Sequence, residues 1–126
     1  MLNKGLRDEE SIRIDNMLKT LLSLVFVPKN AGDEDKINIE DQLKGFGLNI
    51  ESLITIAPAD LIVLLYRLHL DWKQQEQFAD FLVAFSKDSP FDLSGKAIAI
   101  YEHIQSESKT FSFDIFNKIA SAKANL

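Results

Sequence analysis

The chain contains no cysteine. That absence excludes disulfides, thiolate zinc sites and cysteine nucleophiles, and it suits a reducing compartment. Clustered positive charge is missing too. Fourteen Lys and Arg stand against nineteen Asp and Glu, for a net charge of −5. The basic residues are spread thinly, Lys118 with Lys123 coming nearest to a cluster. Binding to a phosphate backbone relies on grouped cations, so no nucleic-acid partner is expected. Long apolar runs are also absent. Leu21 to Val27 and Leu61 to Leu70, the latter broken by Arg67 and His69, fall short of the roughly 20 residues that span a bilayer. Met1 to Arg7 leads straight into Asp8-Glu9-Glu10 with no apolar h-region between. The expectation is therefore a cytoplasmic protein with no membrane partner.

What the chain does have is helical periodicity. At 126 residues, 46 % hydrophobic and 26 % charged, it has ordinary globular composition. One domain over residues 1–126 is expected, burying roughly two-thirds of its unfolded surface without a staple. Phe78, Phe81, Leu82 and Phe85 recur at i, i+3, i+4, i+7, one stripe of one helix.

Punctuation then divides the chain. A first helix is expected from about Asp8 to Phe26, its first turn loaded with Asp8, Glu9 and Glu10 to suit the helix dipole. Ile14, Met17 or Leu18, Leu21 and Val25 form its stripe, and Pro28 ends it. Asn30-Ala31-Gly32-Asp33 is a loop, with Asp33 capping a second helix from Glu34 to Phe46 that carries Ile37, Ile39, Leu43 and Phe46. Gly47 stands where a left-handed C-terminal cap is wanted. Asn49 caps a short apolar segment to Ile56. Pro58 takes the favoured first position of a fourth helix reaching about Leu70. Its run of Leu61, Ile62, Val63, Leu64, Leu65 and Leu68 predicts burial on most sides and a place at the centre of the core. Asp71, with Gln74 three residues on, forms an approximate capping box for a fifth helix ending near Asp88-Ser89-Pro90. The last two helices, about Leu93 to Gln105 and Phe113 to Ala124, form a hairpin. Ala97, Ile100, Tyr101 and Ile104 share one face of the first, and Phe116, Ile119, Ala120 and Lys123 one face of the second. Ser112 caps the latter, with Phe111 and Phe116 placed as a hydrophobic staple.

Two resemblances follow from these residues. In the final hairpin, Ala97, Tyr101 and Phe113 sit roughly where a tetratricopeptide-type helix pair places small and aromatic residues. Lys109 departs from that pattern, and one pair cannot stack alone. The whole order, with Lys44-Gly45-Phe46-Gly47-Leu48, an acid-capped apolar helix and Ser108 to Phe113 (Ser-Lys-Thr-Phe-Ser-Phe), resembles a small bacterial family of uncharacterised all-helical proteins. That resemblance implies an all-α fold and carries over no functional residue.

Chemistry-bearing residues are few. Tyr66, His69, Asp71 and Trp72 are the densest set, at a helix-to-helix corner. They are read either as a pocket with His69 as a base oriented by Asp71, or as a cap with packing residues. No motif sets a nucleophile beside them. His103 has Glu107 at i+4, too few ligands for a metal. Asp8-Glu9-Glu10 and Asp33-Glu34-Asp35 lack EF-hand spacing. Gly45-x-Gly47 lacks the rest of a phosphate loop and reads as a helix end. No cofactor is called for.

The nine Phe residues are the remaining signal. Phe91, Phe111 and Phe113 lie in or beside loops, where aromatics mark binding surfaces. The expectation is an all-α irregular bundle of about six or seven mostly antiparallel helices. Its function reads as non-catalytic, holding a peptide or partner helix in a groove near Phe91, Tyr101, Phe111 and Phe113. A small-molecule site or small enzyme at the Tyr66–Trp72 corner, and a structural homodimer, are the alternatives.

Overall fold

A computed structural model describes residues 2–26, 33–87 and 92–124, with side chains described over 9–25, 36–87 and 92–124. The expected breaks at Pro28, Asn30-Ala31-Gly32 and Pro90, and the candidate Phe91, lie outside the described residues. Among the described residues seven helices follow in order: α1 (Leu2–Phe26), α2 (Asp33–Lys44), α3 (Ile50–Thr55), α4 (Pro58–Arg67), α5 (Trp72–Lys87), α6 (Ser94–Glu107) and α7 (Phe113–Ala124). No strand occurs among the described residues. The all-α bundle expected from the periodicity is thus present.

α5 and α6 form the central pair, and α5 also packs against α1. α6 also contacts α4 and α7, while α2 packs on α1 and α3 on α2. Side chains from all seven helices join one hydrophobic core, with Phe78, Phe81, Leu82 and Phe85 of α5 among them. The rings of Phe46 and Phe78 meet edge-on at 5.3 Å, and those of Phe81 and Phe85 stack at 5.5 Å.

Placing α4 at the centre was incorrect. Only Leu61 and Leu65 of α4 are buried, while Val63 and Tyr66 face solvent. α4 packs against α6 along one face, so its continuous apolar run does not mean burial all round. Three other expectations also change. α1 begins at Leu2, so Asp8, Glu9 and Glu10 lie inside the helix and not in its first turn. Ile37 is exposed, and α2 buries Ile39, Leu43 and the following Phe46 instead. On α7 the buried side is Ile115 and Ala122, with Phe116, Ala120 and Lys123 turned outward. Ile115, Ala122 and the half-buried Ile119 pack on the core, and Lys118 between them reaches carboxylates of α5.

Helix ends follow the local chemistry. Asn49 and Ser52 form a reciprocal capping box on α3, and Glu40 accepts from the Ile50 N–H. α2 ends in a Schellman motif: Leu48 N–H donates to Leu43 O at 3.0 Å and Gly47 N–H to Lys44 O at 3.0 Å. Gly47 supplies the left-handed residue, with φ 75°. Gly45 serves another end, close approach: a Cβ there would lie 2.1 Å from Met17 Sδ of α1.

Candidate functional site

The Tyr66–Trp72 corner is built from two helix termini. α4 closes with the same Schellman pattern as α2. Leu70 N–H donates to Leu65 O at 3.2 Å and His69 N–H to Tyr66 O at 3.0 Å. His69 therefore occupies the left-handed position, φ 64°, where glycine is usual. This fold-back of Leu70 over Leu65 ends α4 at Arg67, earlier than its apolar run implied. Asp71 then starts α5. Its carboxylate accepts from Gln74 N–H at 2.7 Å, and Gln74 Oε1 accepts from Asp71 N–H at 2.9 Å. Gln74 Nε2 continues to Ser11 and to Asp15 Oδ1, fastening α5 to α1.

Tyr66, His69 and Asp71 do line one open depression of about 630 Å³, together with Glu10, Ser11 and Arg67 of α1 and α4. Trp72 turns its ring to His103 of α6, centroids 5.9 Å apart. Asp71 Oδ1 accepts the Gln74 N–H in the cap, and Glu10 is the other carboxylate that lines the depression with His69.

The aromatic candidates divide. Tyr101 is buried at 1 % exposure on the inner face of α6. Phe111, Phe113 and Phe116 are exposed, at 59 %, 76 % and 54 %. Phe111 lies edge-on to Phe113 at 5.0 Å and tilted to Phe116 at 6.0 Å. Ser112 Oγ accepts from Ile115 N–H at 3.2 Å, as its capping position predicts. Two further bonds hold the connection: Gln105 Nε2 to Ser112 O at 2.9 Å and Ser112 N–H to Gln105 Oε1 at 3.0 Å. The three rings thus stand on a pinned corner.

Tyr101 belongs instead to a polar tie that the spacing arguments missed. Its hydroxyl donates to Asp80 Oδ1, and Lys118 bridges Glu76 Oε2 at 2.5 Å and Asp80 Oδ2 at 3.1 Å. The tie joins α5, α6 and α7. Burial, then the Asp80 hydrogen bond and charge, push the Tyr101 hydroxyl far above the ordinary tyrosine value. For Lys118, burial opposes the charge, but the Glu76 hydrogen bond and the charge and hydrogen bond of Asp80 outweigh it. Its pKa is raised above that of an ordinary lysine. Glu76 and Asp80 stand four residues apart on the helix that carries the phenylalanine stripe. Such an i, i+4 acid pair beside a core face was the available signal.

The tie borders a cleft of about 390 Å³ formed by α1, α5, α6 and α7. Among the described residues, no group of three or more His, Asp or Glu is arranged to hold a metal ion. No described helix is long and apolar enough to cross a membrane. No family model, curated protein or solved structure matches this chain.

Proposed function

We propose that this chain is a non-catalytic interaction module. It engages a protein or peptide partner through the surface formed by Phe111, Phe113 and Phe116. The observation that carries this reading is the contact of Phe111 with both Phe113 and Phe116, three rings that are each more than half exposed. By contrast, Phe46, Phe78, Phe81 and Phe85 are all buried. Apolar surface left in water is unfavourable in the free protein and is recovered when a partner covers it. The cap and the Gln105–Ser112 bonds fix the backbone that carries the rings, which lowers the ordering cost of binding. Tyr101 is not part of this surface. It holds the hairpin to α5 from the inside.

The test compares wild type with a Phe113→Ser, Phe116→Ser variant of matched melting temperature. Each is immobilised and exposed to host lysate, with captured proteins identified by mass spectrometry. A partner retained by wild type and lost by the variant is the expected result. Equal capture by both sinks this assignment of the surface.

A further inference from the structure

We propose that the cleft between α1, α5, α6 and α7 binds a small amphiphile with a carboxylate head and an alkyl body. The inference is independent of the Phe111–Phe113–Phe116 surface. The cleft encloses about 390 Å³, within the size range of small-molecule sites. Its walls are short and apolar: Val25 of α1, Val83 and Ala84 of α5, and Ala122 of α7. Such walls suit an unbranched hydrocarbon, with Ser121 the one further polar residue in the lining besides Asp80, Lys87, Tyr101 and Lys118.

The head group follows from counting donors and acceptors. Each oxygen of Asp80 already accepts a hydrogen bond, Oδ1 from Tyr101 and Oδ2 from Lys118. The Lys118 ammonium has three N–H groups, of which Glu76 and Asp80 take two. Lys87 also lines the cleft and has no ion-pair partner among the described residues. Spare donors line the cleft at two places: the third N–H of Lys118 beside Asp80, and the Lys87 ammonium about two helical turns farther along α5. A carboxylate complements the Lys87 ammonium, with the alkyl body lying along Val83 and Ala84.

The test is an NMR titration of the isotopically labelled full chain with hexanoate, octanoate and decanoate, each below its micellar concentration. The expected result is saturable shifts at Val83, Ala84, Lys87, Lys118 and Ala122. Affinity should rise by about fourfold per added methylene until the cleft is full. Octylamine should bind at least about tenfold more weakly than octanoate, and Lys87→Met should weaken octanoate by about tenfold. Val83→Phe, at a half-buried position, should block binding while the protein stays folded. The Phe113→Ser, Phe116→Ser variant should bind octanoate as wild type does. Absent saturation, octylamine binding as tightly as octanoate, shifts centred on the Phe111 corner, or unaltered binding by folded Val83→Phe would each overturn the proposal.

Discussion

The Tyr101 hydroxyl donates to Asp80 at 2.5 Å, fixing α6 to α5 across 21 residues of sequence. The acceptor is a carboxylate and the donor is buried, so this bond belongs to the stronger class. Tyr101→Phe keeps the ring and removes the donor. It is expected to cost about 2 kcal/mol in urea unfolding, with m unchanged. A cost indistinguishable from zero would show that Lys118 alone satisfies Asp80.

The same tie makes stability fall in alkali. Tyr101 and Lys118 both have folded-state pKa values raised above the ordinary 10.0 and 10.5. Above those values the unfolded chain releases protons that the folded chain keeps. Each group's contribution is complete below its unfolded pKa and is lost as pH rises towards its folded one. Urea midpoints at about pH 9 and about pH 11 should drop more for wild type than for Tyr101→Phe, since the variant retains only the Lys118 share. Parallel drops would show that Tyr101 is not the linked group.

Core substitutions distinguish α5 from α4 as the centre. Phe81→Ala and Phe78→Ala empty fully buried positions and should each cost about 4 kcal/mol. Val63→Ala, on the exposed side of α4, should change stability by less than about 0.5 kcal/mol. Calorimetric or urea unfolding reads both. A large loss at Val63 would restore α4 to the centre.

The helices were legible because their ends carry chemistry: Asn49, Pro58, Asp71 and Ser112 each begin an element through a local side-chain or backbone preference. The stripe of α5 and the inner face of α6 were legible for the same local reason, since period alone names the face. The centre of the bundle was not. Leu61 to Leu65 is more continuously apolar than α5, but which helix is surrounded depends on pairings between distant segments. Of the face expected on α7, Ile119 does pack on the core while Phe116, Ala120 and Lys123 do not; charged Lys118 instead turns inward to Glu76, 42 residues earlier. That contact has no short-range signature. The exposed trio of rings was partly legible: Phe111 and Phe113 flank a cap. Phe116 was legible as the staple partner of Phe111, and the two rings do meet at 6.0 Å; Tyr101 left the group because its hydroxyl found Asp80.

His69 gives the sharpest test between a chemical and an architectural role at the α4–α5 corner. As the left-handed residue of a Schellman motif, it holds a conformation that glycine adopts without steric cost. His69→Gly should therefore raise stability, by about 1 kcal/mol. Asp71→Ala should lower it by about 1 kcal/mol through loss of the cap on α5, and Asp71→Asn should recover most of that loss, because an amide oxygen caps as well as a carboxylate. Opposite signs for His69→Gly and Asp71→Ala in urea unfolding fit two separate helix ends that happen to be neighbours. If the two side chains worked as a pair, removing either would weaken the same property and the double variant would lose less than the sum. With separate ends, the double variant should equal the sum of the single changes.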